Sequence, residues 1–327
     1  MMNFSVREIF MMNKPLGKLL ILACMATALI ACKAAKQSAA PSASTAIAAA
    51  TQKTAAVAAP ARHFLWRISK GRDSLYLVGS LHALNPDNYP LPESMENAFR
   101  HSSALVEEIN LTTVDTAGMQ RDALRMGAYP RGKSLRKELP PDVYVKVTEA
   151  AKKLGIDMQR LDRLRPWLGS IAILDMQLKQ AGYAASAGVD HHFADEAQMS
   201  GKHIIGLETP RSQLRLLAKL PAKVQQDMLL QSLDQAMDFN RQMQQLIYAW
   251  EKGDTTALEG ILKHDFGDYP LAYKLLIADR NRAWLPQLQR LMRSGRQYFV
   301  VVGALHMVGT DGLLARFKKA GYKVEQL

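Results

Sequence analysis

Cysteine is almost missing from this chain: Cys24 and Cys32 are the whole complement of 327 residues. Two thiols exclude a disulfide-stapled scaffold and a zinc ribbon built on four thiolates. HExxH, GxSxG and GxGxxG are absent as well. The zincin, serine-hydrolase and Rossmann dinucleotide-binding readings therefore lose their main support. No long basic run exists either, although Lys and Arg number 42 against 30 Asp and Glu, for a formal charge of +12. Basic residues spread this way suit a solvated surface facing anionic lipid better than nucleic-acid binding. What is present in bulk is ordinary. Hydrophobic residues at 48% and charged residues at 22% exclude wholesale disorder and a polytopic membrane protein.

The N-terminal part has a different character. Lys14 and Lys18 precede an apolar run starting at Leu19 that is too short to span a bilayer comfortably, the pattern of a secretory signal peptide. It ends in Leu29-Ile30-Ala31-Cys32, which resembles the bacterial lipobox, where the cysteine is lipidated and becomes the mature N-terminus. Residues 1–31 are thus expected to be a lipoprotein signal peptide. Their removal takes away Arg7, Lys14 and Lys18 with Glu8, lowering the charge from +12 to +10, and leaves no thiol beyond the lipidated one. Lys33 follows where an Asp would favour inner-membrane retention, so the expected place is the outer membrane, facing the periplasm. Residues 32–61 are rich in Ala and Ser and carry no aromatic side chain, the composition of a flexible tether.

Residues 62–327 should form the folded unit. Phe64–Ser69 and Leu75–Val78 flank Lys70-Gly71-Arg72-Asp73 and predict a β-hairpin. A helix over 93–101 and a strand over Ala104–Leu111 follow. A helical block is expected at about 112–253, with segments near 114–127, 141–154, 163–182, 188–200, 210–219 and 221–252, interrupted by a short strand from His203. A helix over 268–293 leads to Tyr298-Phe-Val-Val-Val, whose continuous apolar run predicts burial on both faces. A helix near 311–319 and a strand from Tyr322 close the chain. Strands, a helical block and strands again predict an α/β fold: a mixed β-sheet core built from both chain ends, with the block inserted between them.

Two strands end alike, as Val78-Gly79-Ser80-Leu81-His82 and Val302-Gly303-Ala304-Leu305-His306. A lone GxxH is weak, but the shared Val and Leu at two strand ends make coincidence far less plausible. The glycine permits a sharp turn and close approach. Each histidine is then presented at the carboxyl edge of a sheet, where open α/β folds place ligands. Two imidazoles there could hold one metal or share acid–base work; the alternative is a pair of satisfied strand-end histidines. Strand alternation puts Val106, Glu108 and Asn110 on one face and Glu107 on the other. A glutamate inside an apolar strand is costly unless paired, so one of the two should join the histidines.

These motifs resemble the TraB/GumN family, whose metazoan relatives include the Tiki proteases, and more distantly the erythromycin-esterase and ChaN-like proteins. The resemblance spans about Phe64 to Val324. It is carried by the two GxxH motifs, Leu91-Pro92, Val106-Glu107-Glu108-Ile109-Asn110, Gly188-Val189-Asp190, Gly206-Leu207-Glu208-Thr209 and Arg280-Asn281-Arg282-Ala283-Trp284. Asn110 stands where the family has Asp. The resemblance implies a site of His82, His306 and Glu108 with Arg280 nearby, and a divalent-metal-dependent, peptidase-like hydrolase. Under that reading His82, His306 and Glu108 are metal ligands or catalytic bases, the metal being zinc, manganese, iron or cobalt. Arg280 would stabilise an oxyanion or serve as a buried partner for Glu208 or Asp190, and both of those carboxylates could instead cap helices. Gly79, Gly303 and Asn281 would support the site. The substrate would be a peptide or small molecule. A haem- or metal-binding envelope lipoprotein without turnover is the alternative. His191 and His192 point about 100° apart on a helix and are poor joint ligands.

Overall fold

The structure, a computed structural model, describes residues 62–234 and 239–327. The signal peptide, Cys32 and the tether lie outside the described residues. Six strands form one mixed sheet in the order β4-β3-β5-β2-β1-β6. They are β1 (Leu65–Lys70), β2 (Asp73–Ser80), β3 (Ala104–Glu107), β4 (His203–Gly206), β5 (Tyr298–Gly303) and β6 (Lys323–Gln326). The core is therefore built from both ends of the chain, as the segment order predicts. β1 and β2 pair antiparallel through a two-residue turn, with Gly71 at φ 61° in the left-handed region open to glycine. β2, β5, β3 and β4 are mutually parallel.

β5 runs between β2 and β3 with every residue buried, which accounts for its unbroken apolar sequence. Each Val or Phe side chain buried there stabilises the fold by roughly 1.5–3 kcal/mol. The helices are α1 (Glu93–Arg100), α2 (Thr116–Gly127), α3 (Leu135–Glu138), α4 (Pro141–Lys153), α5 (Met158–Leu161), α6 (Pro166–Gln180), α7 (Val189–Met199), α8 (Pro210–Ala218), α9 (Ala222–Asp234), α10 (Phe239–Glu251), α11 (Thr255–Phe266), α12 (Pro270–Tyr273), α13 (Asp279–Met292) and α14 (Leu313–Lys319). Part of the helical block has its own apolar centre. Leu135, Val143, Val147, Ile173, Leu229 and Leu233 cluster apart from the sheet core.

Two local expectations are corrected. The strand expected over Ala104–Leu111 stops at Glu107, because Asn110 caps a short turn, its Oδ1 accepting from Thr112 N–H at 3.2 Å. Glu108 therefore leaves the pleat, and both glutamates are buried instead of facing opposite sides. The helix expected over 268–293 is interrupted by a π-helical turn, Lys274–Ala278, immediately before Arg280. Such wide turns occur often at functional positions. Here the Leu276 carbonyl accepts from the Arg280 side chain at 3.1 Å.

Candidate functional site

The two GxxH motifs meet because their strands are neighbours. β2 pairs with β5, but Gly79 lies opposite Val302 and Ser80 opposite Gly303, so the motifs are one residue out of register. The slip gives the two histidines different surroundings. Gly79 is fixed by close approach, since a Cβ there would strike the Phe64 ring and come within 2.9 Å of the Ala304 Cα.

His82 is held by a loop stitched to the start of α7. Val189 N–H donates to the Leu81 carbonyl at 3.0 Å, and Leu84 bridges Ala184. This brings Asp190 Oδ1 to 3.0 Å from His82 Nδ1, a buried charge contact whose approach is too oblique for a well-aligned hydrogen bond. Asp190 makes no capping bond to α7 and faces the imidazole instead, which corrects the helix-cap expectation. Burial alone would lower the His82 pKa, but the Asp190 charge, with Glu108 behind it, raises it above the ordinary value. Asp190 is correspondingly lowered despite burial, chiefly by His82.

His306 has another role. The Asn281 amide donates to the His306 and Asp311 carbonyls at 3.0 and 2.9 Å, which fixes its orientation. Its Oδ1 then faces His306 Nδ1 at 2.7 Å and must accept from it. That places the ring proton on Nδ1 and the lone pair on Nε2, which accepts from Arg280 Nη1 at 2.8 Å. Burial and the Arg280 charge push the His306 pKa down to about 3, so the ring is neutral. Its face lies 4.5 Å from the Trp284 ring, centroid to centroid.

Arg280 is the hub. Its Nη2 donates to Glu108 Oε2 at 2.5 Å and its Nε to Glu208 Oε1 at 3.0 Å, while Nη1 serves Leu276 and His306. It also lies over the Trp284 ring. These bonds engage four of its N–H groups. Of the two roles expected for Arg280, the buried-partner one describes its bond to Glu208. Glu208 is not the helix cap; Thr209 caps α8, its Oγ1 accepting from Ser212 N–H at 3.2 Å. Burial favours the neutral acid at Glu108, yet the Arg280 guanidinium, the two imidazoles and the Gly303 N–H together outweigh it and hold the carboxyl well below the usual range. Gly303 N–H and Gln213 complete its bonds at 2.8 and 3.1 Å.

A Cβ added to Gly303 would sit 3.2 Å from His82 Nε2, 3.3 Å from Glu108 Oε1 and 3.7 Å from His306 Cδ2. The three predicted side chains thus surround one point, kept open by a glycine. Next to it runs a cleft lined by His82, Glu107, Glu108, Asp190 and Gln213, with about 320 Å³ of empty space including its mouth. Its inner end has room for about one water.

The donors do not fit the expected divalent ion. A metal needs converging lone pairs on neutral imidazole and carboxylate. His306 Nε2 and Glu108 Oε2 are turned to Arg280, whose cation takes the place a metal would need. Among the described residues no three His, Cys, Asp or Glu side chains form a metal-holding group. None of them is assigned here as a metal ligand.

Gln213 escapes a reading of the sequence, and Glu107 is read only as an alternative to Glu108. Gln213 sits within an apolar stripe of α8 and carries no motif. Glu107 is hidden by its neighbour, and only the early end of β3 reveals that both glutamates are inside. His192 is apart from the site, its Nε2 2.8 Å from Glu96.

A mixed sheet with two parallel strand ends presenting GxxH histidines to a buried arginine–carboxylate cluster agrees with the family comparison. The chain belongs to the TraB/PrgY/gumN family, whose model matches residues 64–326. Among curated proteins it is similar to the uncharacterized protein YbaP of Escherichia coli strain K12 and of Shigella flexneri. Each is 26% identical over 269 residues, covering 80% of this chain and 96% of theirs. No solved structure matches at a significant level.

Proposed function

We propose that this chain is a hydrolase of amide or ester bonds, peptidase-like, in which His82 takes a proton from water. The observation that supports this is the His82 ring itself. Its Nδ1 is backed by Asp190 at 3.0 Å, while its Nε2 has no hydrogen-bond partner among the described residues and looks onto the open point above Gly303. An imidazole oriented by a buried carboxylate and free at its other nitrogen is a general base in position. Glu108, Arg280, Glu208 and His306 form a buried, mutually bonded cluster beside it. The test is hydrolysis of a peptide library by the full chain, with and without EDTA. Cleavage that survives the chelator and disappears in His82→Gln is expected. Cleavage lost to EDTA and restored by zinc or manganese would instead return the metal-dependent mechanism. A haem Soret band without any cleavage would favour a binding protein.

The same proposal places the enzyme on a membrane through lipid on Cys32, as an outer-membrane lipoprotein facing the periplasm. What supports it is the Leu29-Ile30-Ala31-Cys32 sequence followed by 29 residues of tether composition, long enough to hold the domain off a bilayer. Labelled palmitate should enter the wild-type chain and not Cys32→Ala, which should leave the membrane fraction. Equal labelling of both would overturn the anchor.

A further inference from the structure

Glu107 is 2% exposed, and neither of its carboxyl oxygens has a hydrogen-bond partner. The Leu111 amide is near enough to ease a charge there but does not bond with normal geometry. Buried carboxyls without partners are rare, because each costs a desolvation penalty with nothing returned. This one lines the cleft that His82 and Asp190 also line. Burial, followed by the Asp190 charge, raises its pKa well above the usual carboxylate value. Asp195 and Glu108 add to the same effect. Glu108, one residue on, is held ionised by Arg280. Two adjacent glutamates are thus shifted in opposite directions, an arrangement in which one carboxyl can give a proton while the other only stabilises charge.

We propose that Glu107 is the general acid of this site, giving its proton to the leaving group while His82 takes one from water. The assignment rests on the hydrolase reading above and deepens it. In the step, a water proton passes to His82 Nε2 and the water oxygen bonds to the acyl carbon. The bond from that carbon to the leaving nitrogen or oxygen then breaks, and the leaving atom takes the Glu107 proton. The imidazolium returns its proton to the Glu107 carboxylate through water in the cleft, and both groups are restored. No oxidant, reductant or further reactant is needed. Glu107 is a catalytic residue in this account because it touches the reacting atom, and substrates with poor leaving groups, amides above all, are the class that requires it.

The experiment compares two probes with the same acyl group, an N-acyl amino acid 4-nitroanilide and its 4-nitrophenyl ester. The anilide leaving group must be protonated as it departs; nitrophenolate leaves without help. Glu107→Gln keeps the size of the side chain and removes the proton. It is expected to lower kcat on the anilide by about 10²-fold or more. On the ester the loss should be at least ten times smaller. The slope of log rate against leaving-group basicity across substituted phenyl esters should steepen in the variant. Equal losses on both probes, or an unchanged slope, would overturn the assignment and leave Glu107 a structural group. Thermal melting of Glu107→Gln separates misfolding from chemistry, and Glu107→Asp, which keeps an acid, should recover part of the anilide rate. If the wild-type chain hydrolyses neither probe nor any peptide in the library, the hydrolase reading itself fails, and this assignment with it.

Discussion

Arg280→Met unfolds at roughly 6–20 °C below the parent chain, following a loss of about 3–5 kcal/mol. The reason is what the guanidinium leaves behind. Glu108 Oε2 lies 2.5 Å from Nη2 and Glu208 Oε1 3.0 Å from Nε, so removing the cation strands two carboxylates in a buried site. His306 also loses the donor at its Nε2. Lysine is no substitute, because a single ammonium cannot reach both carboxylates and the imidazole in this fork. The pH dependence carries the sign. In the parent, Glu108 has a depressed folded-state pKa, so its contribution is present above the unfolded value and is lost as pH falls through the folded one. In Arg280→Met burial is left to raise Glu108, so its penalty is largest at neutral pH and fades on acidification. The gap between the melting temperatures of the two chains should therefore narrow as pH falls below neutrality, and go on narrowing below about pH 4 as the parent loses the Glu108 contribution. Adding Glu108→Gln to Arg280→Met should recover part of the loss at pH 7. A gap in melting temperature that stays constant with pH would reject the buried ion cluster as the source.

How far this arrangement can be read from sequence depends on the range of the interaction that fixes each part. The β5 run and the two GxxH motifs are legible because local pattern alone demands them: six buried residues in a row need strands on both sides. That His82 and His306 come together is legible too, given a sheet built from both ends. The one-residue slip between β2 and β5 is not, since register depends on how two distant strands pair, and the repeat itself suggests equivalence. The slip separates the roles of the rings, one facing Asp190 and the other Asn281 and Arg280. Glu208 and Asp190 both stand near helix starts, where a carboxylate is a common cap. Thr209 takes that role on α8. Asp190, in the first turn of α7, is drawn to His82, a contact between residues more than a hundred positions apart. Ligand types in the sequence suggest a metal; only the location of the Arg280 charge shows that His306 Nε2 and Glu108 Oε2 are already engaged. The π-turn that delivers Arg280 has no marker in the apolar spacing of Leu275, Leu276 and Ile277.

His82→Gln should lower turnover by about 10²–10⁴-fold, the usual worth of a positioned base, with little change in substrate binding. Glutamine keeps a polar group beside Asp190 but cannot take a proton from water. The wild-type pH profile supplies an independent signature. Only neutral His82 is a base, and Asp190 with Glu108 raises its pKa above 6.5, so turnover should fall as pH drops through a value on the alkaline side of 6.5. His306 stays neutral over this range, so it adds no second inflection. Asp190→Asn removes the largest favourable charge and leaves only Glu108 opposing burial, which moves the inflection to lower pH. The same change costs turnover, by as much as about 10⁴-fold if the amide holds the ring in the wrong tautomer. A variant that is slower yet titrates at lower pH is therefore the expected outcome for Asp190→Asn. A general loss of structure would slow the reaction without that displacement, and an inflection that stays in place would remove Asp190 as the partner of the base.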